Sequence, residues 1–173
     1  RARAALAADD EHGDVTLVRI VEELSSAMNL SLTERTRLLQ MEEDTEVELV
    51  RPVAFGAELL RLATARGLGT WIVSDNYMPA DHLVRMASAA GIHLDVSRVI
   101  VSCEHGAMKH NGSLWPVVLD RVGVAPGQIL HVGDLRDADG AIPARLGLHT
   151  HVNDSMRHVQ REPLNTCPSV LPL

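Results

Sequence analysis

The stretch Ile129-Leu-His-Val-Gly-Asp134-Leu-Arg-Asp-Ala-Asp139 joins a short apolar run to three carboxylates within six residues. Such a run is typical of a buried parallel strand, and Gly133 permits a sharp turn at its end. Open α/β sheets bind ligands just beyond the carboxyl ends of their strands. Clustered carboxylates repel one another unless a hard cation such as Mg²⁺ neutralises them. The stretch therefore predicts a metal site, or else a polar loop whose aspartates cap the next helix.

The chain on both sides of this stretch alternates between helices and short apolar strands from Pro52 onward. Helix boundaries are marked by Gly67, Pro79 and Gly91, and by Ser113, which we expect to cap a helix that ends at Val122. The predicted strands are residues 70–73, 99–103, 129–132 and 148–152, and a short helix is predicted over 138–146. This alternation predicts an α/β fold, with a Rossmann-like parallel sheet that has helices on both faces.

The first 50 residues are helical and charged in pattern. An amphipathic spacing predicts one helix over 15–28, and the capping box Ser31-Leu-Thr-Glu34 predicts a second helix that continues to about Leu49. The prolines after Ser155 predict an irregular tail. We therefore divide the chain into a helical segment (1–50), an α/β core (51–153) and a tail (154–173).

The composition excludes several classes of protein. Sixteen basic and 23 acidic residues give a net charge of −7, which argues against binding to nucleic acid or to an anionic membrane. No run of about 18 apolar residues is present, so no membrane-spanning helix is expected. Cys103 and Cys167 are far apart and form no CxxC or zinc pattern. Two reduced cysteines in a cytoplasmic protein are the default expectation.

Three predicted loops follow three successive strands and carry complementary chemistry. They are Ser74-Asp75-Asn76, the region 104–109 with Lys109, and the region 134–139. In a parallel sheet these loops emerge at one edge, where a hydroxyl and an ammonium can bind a phosphoryl group and carboxylates can hold Mg²⁺. Taken singly, Ser74 is more often a helix cap and Lys109 a solvated surface residue. Their order and placement together predict a phosphate and metal site.

These loops resemble the motifs of the haloacid dehalogenase-like (HAD) superfamily over residues 50–153. Thr70-Trp-Ile-Val-Ser74-Asp75 resembles the second motif of that family, and Lys109 the third. Gly133-Asp134 with Asp139 resembles the fourth motif, of the form GDxxxxD. The phrases Ser-Asp-Asn-Tyr-Met-Pro and Glu-His-Gly-Ala-Met-Lys resemble HAD-like domains of bacterial polysaccharide and glycosyltransferase proteins, which implies that a glycosyltransferase or other domain could be fused to this one.

The resemblance implies a role for each motif in phosphoryl transfer. The stretch Ser74-Asp75-Asn76 would bind the phosphoryl group, with Ser74 in direct contact with it. Lys109 would neutralise the phosphate and the nucleophile. Asp134 would coordinate Mg²⁺, and Asp139 would either support the metal or orient Lys109. The catalytic residues expected in this chain are therefore Ser74 and Lys109, and the expected metal ligands are Asp134 and Asp139.

The first motif of the family, an apolar strand that ends in DxDx(T/V) and supplies the nucleophile, does not occur in the 173 residues. Residues 1–50 match the distal part of the helical cap that follows this motif, so they form a partial cap and the missing strand is expected upstream of Arg1. The expected function is a Mg²⁺-dependent phosphatase for a small phosphorylated metabolite or sugar, truncated here and inactive on its own. Two alternatives are a non-catalytic HAD-like module that binds a phosphorylated ligand or a partner protein, and a dehalogenase, which needs no Mg²⁺. The sequence leaves open the substrate, the oligomeric state, the role of the C-terminal tail, and whether the nucleophile motif lies upstream of Arg1 or is truly absent.

Other reactive side chains have ordinary interpretations. His149 and His151 share one face of a predicted strand, but no third ligand accompanies them. His105 and His110 flank Lys109 and are candidates for substrate contact. Cys103 ends a predicted strand, where cysteines are usually inert core residues.

Overall fold

The computed structural model describes residues 14–153 of the chain. Within this range the fold is mixed α/β, with seven α-helices and four short strands. The helices are α1 (Leu17–Met28), α2 (Leu32–Leu49), α3 (Ala54–Ala65), α4 (Ala80–Ala89), α5 (Ser102–His105), α6 (Trp115–Val122) and α7 (Ile142–Arg145). The strands are β1 (Ile72–Ser74), β2 (Val99–Val101), β3 (Leu130–Gly133) and β4 (His149–Val152). The predicted tail lies outside the described residues.

The four strands form two separate parallel pairs. β1 pairs with β2, with Ser74 opposite Val101, and β3 pairs with β4, with Gly133 opposite Val152. The parallel arrangement of consecutive strands joined by helices is as predicted, but a continuous Rossmann-like sheet is not seen in residues 14–153. Each of the four strands has a partner at one edge and none at the other within this range, so the two pairs are not joined into one sheet.

Both N-terminal helices begin at a side-chain cap, and the cap at Ser31 is the one that the sequence predicts. The hydroxyl of Thr16 accepts the backbone N–H of Arg19 at the start of α1. The capping box of α2 is complete, because Ser31 Oγ accepts the N–H of Glu34 and the Glu34 carboxylate accepts the N–H of Ser31. These contacts satisfy backbone donors that lack partners in the first turn of a helix. The predictions for both helices are confirmed.

Several element boundaries in the core differ from the predicted ones; the strand predicted over 70–73, for example, is Ile72–Ser74. The strand predicted over 99–103 ends at Val101, because Ser102 turns the chain into the short helix α5. Ser113 was expected to cap α6, but Leu114 occupies that position. The Ser113 hydroxyl instead accepts the N–H of Met108 (2.9 Å) and donates to Asn111 Oδ1 (2.7 Å). It therefore stabilises the loop that contains Lys109.

The helix predicted over 138–146 consists of two short pieces. A π-helical turn spans Arg136–Ala141, and α7 follows it directly. π-Helical turns are rare in proteins, and those that occur are often found at functional sites. Here the turn carries Asp139, the last residue of the acidic stretch, into the interior of the protein, where it is 1 % exposed.

A single hydrophobic cluster contacts both strand pairs. Ile100 of β2 packs with Leu148, which precedes β4, and with Trp115 of α6, which is 1 % exposed. Trp71 and Val73 lie against the same cluster. Trp71 is only partly buried, whereas Trp115 lies in the centre of the cluster. Within residues 14–153, no helix combines the length and apolarity needed to cross a bilayer.

Candidate functional site

The loop after β1 is tied to the loop that contains Lys109. The carboxylate of Asp75 accepts the backbone N–H groups of Lys109 (2.7 Å) and His110 (3.3 Å). Nδ1 of His110 lies 3.6 Å from the same carboxylate. Asp75 therefore links the carboxyl end of β1, where Ser74 lies, to the segment that was predicted to supply the phosphate-binding ammonium.

Asn76 fixes the shape of the same loop. Its backbone N–H donates to Ser102 Oγ (2.8 Å), and its side-chain Oδ1 accepts the N–H of Met78 (2.9 Å). The Ser102 hydroxyl, which is fully buried, donates to Asp14 Oδ2 at 2.5 Å. Asp14 is itself 8 % exposed. This buried network joins the N-terminal segment to the ends of β1 and β2.

The helices α1 and α2 also contact this loop through Tyr77. The carbonyl of Tyr77 accepts the N–H of Leu17, and its hydroxyl lies 3.0 Å from Glu42 Oε1 and 3.2 Å from Glu46 Oε1. Burial raises the pKa of Tyr77, and the two nearby carboxylates raise it further. The phenol therefore stays protonated and donates to α2. The N-terminal helices are in this way packed on the loop that follows Ser74.

Asp139 forms the centre of the site and has four hydrogen-bond donors around its carboxylate. Oδ1 lies 2.7 Å from Lys109 Nζ and 2.9 Å from His131 Nε2. Oδ2 accepts the backbone N–H groups of Asp134 (3.1 Å) and Leu135 (3.0 Å). A carboxylate offers about four lone-pair positions, so these donors use its full capacity.

The four donors keep Asp139 ionised despite its burial. Burial alone would raise the pKa of this carboxyl, but the hydrogen bonds from His131 and Lys109 and the positive charge of Lys109 outweigh it. The pKa of Asp139 therefore lies well below its usual range. The result is a buried ion pair in which the Lys109 side chain is only 12 % exposed.

Lys109 is the only lysine in the chain, whereas the other fifteen basic residues are arginines. Its backbone is bound by Asp75 and its ammonium by Asp139. One residue therefore connects the loop after β1 with the loop after β3. Lysine provides a compact charge on a flexible stem, so its position depends on these two contacts.

Two predicted site residues keep their functional atoms free of protein partners. Within residues 14–153, neither the hydroxyl of Ser74 nor the carboxylate of Asp134 makes a hydrogen bond or an ion pair. Both residues are half-buried and follow strands whose loops Lys109 connects. These are the atoms that the sequence assigns to the phosphoryl group and to Mg²⁺.

The remaining predicted residues serve as internal supports in this structure. Asp75 and Asn76, predicted to bind phosphate, hold the loops through the bonds described above. Asp139 has the geometry of the second role suggested for it, which is to orient Lys109. The metal and phosphate roles themselves stay predictions. In the part of the chain that the structure describes, no group of three or more His, Cys, Asp or Glu side chains converges as a metal cluster.

The other reactive side chains make no hydrogen bond or ion pair with the Asp139 carboxylate within residues 14–153. His149 and His151 are exposed on β4. Nε2 of His105 is buried and has no hydrogen-bond partner among residues 14–153, and its role in substrate contact stays a prediction. The thiol of Cys103 lies 3.5 Å from the carbonyl oxygen of Met78, as expected for a structural cysteine.

Sequence reasoning missed His131, which lies inside the quoted stretch and contacts Asp139. Alternation along β3 could have found it, because His131 and Gly133 share one face and Gly133 leads into the acidic loop. A second feature of the sequence that points to this site is its single lysine. A chain that uses arginine for all other positive charges has a specific reason to place a lysine at one position.

Glycine is needed at position 133 because the Asp139 side chain approaches the backbone closely there, and not because the chain turns. A Cβ atom at this position would lie 2.3 Å from Asp139 Cγ and 2.4 Å from Asp139 Oδ2. Gly133 is also not among the residues with positive φ, so the sharp turn expected from the sequence is not its function. The missing side chain makes the space in which the Asp139 carboxylate reaches its four donors.

We expect Gly133→Ala to destabilise the chain by about 1–3 kcal/mol, because the added methyl group overpacks a buried site. The change should appear as a lower urea midpoint measured by circular dichroism. Gly69→Ala is the matched control, since a Cβ there would meet nothing within 4 Å. Equal midpoints for the two variants would contradict the close approach.

The comparisons with known proteins do not assign the chain to a family. No model of a known protein family matches the sequence, and no curated protein matches it.

Proposed function

We propose that this chain provides the phosphate-binding and Mg²⁺-binding part of a HAD-type phosphatase that acts on a small phosphorylated metabolite or sugar. One observation carries the proposal. Lys109 connects the loops after β1 and β3 through Asp75 and Asp139, while the hydroxyl of Ser74 and the carboxylate of Asp134 have no partner within residues 14–153. The supporting residues are bound internally, and the groups suited to a ligand are left available.

The proposed reaction is hydrolysis of a phosphate monoester in two displacements. A carboxylate attacks phosphorus, the bond to the ester oxygen breaks, and a neighbouring acid protonates the departing alcohol. Water then attacks the same phosphorus and gives up a proton to that residue, the bond between phosphorus and the carboxylate oxygen breaks, and inorganic phosphate leaves with the carboxylate restored. The residues of this chain do not attack. The hydroxyl of Ser74 donates to a phosphoryl oxygen, and the Lys109 ammonium stabilises the negative charge on the phosphoryl group.

The donor set fits Mg²⁺ at Asp134. Mg²⁺ prefers oxygen ligands and is commonly held by one or two carboxylates, water molecules and the substrate phosphate. Asp134 supplies one free carboxylate, whereas Asp139 has all its acceptor positions used by protein donors. When bound, the cation would neutralise charge on the phosphoryl group and the attacking carboxylate. In this proposal Asp139 orients the Lys109 ammonium, and Asp134 is the ligand of Mg²⁺.

The attacking carboxylate is proposed to come from a further strand of a longer protein. Each of the four strands has one edge that is unpaired within residues 14–153, and burial distinguishes β1 from its partner β2. All three residues of β1 are only half-buried, whereas all three residues of β2 are buried. Parallel strands are normally covered and paired on both sides, so these features favour an additional element beside β1. A cytoplasmic location is part of the same proposal and rests on the cysteine pattern.

Hydrolysis of p-nitrophenyl phosphate tests the function. We expect Mg²⁺-dependent turnover by the longer protein and none by the 173-residue chain. Inorganic phosphate should nevertheless bind to the 173-residue chain, with affinity reduced by Lys109→Met. Binding without turnover by the longer protein would favour the non-catalytic alternative. Absence of both binding and turnover would overturn the proposal.

A further inference from the structure

Within residues 14–153, His131 is the one side-chain contact of the Asp139 carboxylate to which the proposed reaction gives no role. Its Nε2 lies 2.9 Å from Asp139 Oδ1, the same oxygen that lies 2.7 Å from Lys109 Nζ. An ionised carboxylate can only accept hydrogen bonds. The ring nitrogen of His131 that faces it is therefore the donor, so Nε2 carries a hydrogen.

The imidazole of His131 is held in place on two sides. Its ring meets the indole of Trp115 edge to face, with centroids 4.8 Å apart and planes at 84°. Such aromatic contacts have a preferred geometry and limit rotation of the ring. The side chain is 12 % exposed, and its backbone is paired with Thr150 of β4. Because the strand and the indole hold the ring, the hydrogen-bond donor of His131 keeps a fixed position relative to the Asp139 carboxylate.

Together, the donors define the plane of the Asp139 carboxylate. The backbone N–H groups of Asp134 and Leu135 hold Oδ2, and His131 holds Oδ1. Without His131, the flexible Lys109 side chain would be the sole partner of Oδ1. The Asp139 carboxylate could then move together with the Lys109 ammonium and would no longer hold it in one position.

We propose that His131 is a positioning residue that fixes Lys109 through Asp139. This inference rests on the proposed function only for its catalytic consequence, because the geometry of the ion pair can be tested in the chain itself. A small misplacement of a charged group that stabilises phosphoryl transfer lowers the rate of the chemical step. Residues that orient such groups commonly change activity about 10- to 100-fold.

The single lysine allows a direct test in the 173-residue chain. Labelling with ¹⁵N-lysine places the label at one residue, so one side-chain ammonium signal is expected in a proton–nitrogen spectrum. His131→Phe keeps a ring against Trp115 but removes the donor, and we expect the Lys109 signal to shift or broaden. His131→Gln restores a side-chain N–H at similar reach, and we expect it to return the signal toward that of the wild type.

The matched control is His149→Phe, because His149 is exposed on the neighbouring strand and has no contact with Asp139. It should leave the lysine signal unchanged. If His131→Phe does not fold, His131→Asn replaces it, since the shorter amide cannot reach the Nε2 position. A lysine signal identical in the wild type and the donor-free variant would overturn the inference.

Kinetics of the longer protein separate this inference from the proposed function. With p-nitrophenyl phosphate, we expect His131→Phe to lower kcat about 10- to 100-fold with a smaller change in KM, and His131→Gln to recover most of the loss. Unchanged kcat in an active enzyme would overturn the positioning role while leaving the phosphatase proposal intact. A perturbed lysine signal in a protein without turnover would support the positioning role and count against the phosphatase.

Discussion

Replacing Asp139 with Asn is expected to lower the free energy of unfolding of the chain by about 3–5 kcal/mol. The substitution removes the anion that faces the Lys109 ammonium, whose side chain is only 12 % exposed. It also places an amide NH₂ group among four donors, at least one of which then loses its acceptor. Urea unfolding followed by circular dichroism measures the effect.

Asp137→Asn is the matched control for this prediction. Asp137 lies in the same π-helical turn and is exposed, and its carboxylate makes no hydrogen bond or ion pair within residues 14–153. Its substitution should change the free energy of unfolding by no more than about 0.5 kcal/mol. The double variant with Lys109→Met should recover part of the loss, because no uncompensated charge then remains buried. A similar stability for the Asp139 and Asp137 variants would contradict a buried ion pair.

The same carboxylate predicts a loss of stability in acid. The pKa of Asp139 is lower in the folded chain than in the unfolded chain, where a value of about 3.9 is ordinary. Its contribution is therefore fully present above this ordinary value and is lost as the pH falls below it towards the folded pKa. The acid-induced decrease should be smaller in Asp139→Asn. Unfolding midpoints measured between neutral and acidic pH check this difference.

Local features of the chain were predictable because they depend on neighbours in sequence. The capping box of Ser31 and Glu34 and the helix that it starts follow from a four-residue pattern. The strand before Asp134 follows from an apolar run, to within one residue at each end. The parallel pairing follows from the alternation of strands with helices. For the cap and the strand, the deciding interactions lie within one or two turns of chain, whereas the pairing joins residues far apart in sequence and was predicted from the order of the elements.

The sequence did not predict which carboxylates are bound by protein donors and which one is left available to a ligand, because this depends on contacts across the fold. Asp75 and Asp139 appear equivalent to Asp134 in sequence, yet the first two are bound by donors 34 and 30 residues away, at Lys109. The π-helical turn that carries Asp139 inward has no simple sequence signal. The continuous sheet was expected from alternation alone, which cannot tell how many strands complete it.

Replacing Asp134 with Asn is expected to reduce Mg²⁺-dependent hydrolysis by the longer protein on the order of 10³-fold, the size typical of losing one preorganised electrostatic group. The expected loss of activity comes from the loss of a Mg²⁺ ligand and not from a change in the fold. The Asp134 carboxylate has no partner within residues 14–153, so its charge is available to a cation and does not support the fold. The backbone N–H of Asp134, which holds Asp139, is unaffected by the change. Turnover of p-nitrophenyl phosphate at saturating Mg²⁺ measures the loss.

The contrast with Asp139 makes this prediction specific. Asp134→Asn should leave the free energy of unfolding within about 0.5 kcal/mol of the wild type, whereas Asp139→Asn should not. Mg²⁺ titrated into the 173-residue chain should bind more weakly to the Asp134 variant, and Asp137→Asn should change neither binding nor turnover. Full activity in Asp134→Asn would refute its role as metal ligand. A large loss of stability would instead mean that its carboxylate has a structural partner, which would remove the distinction between free and supporting carboxylates on which the proposed site depends.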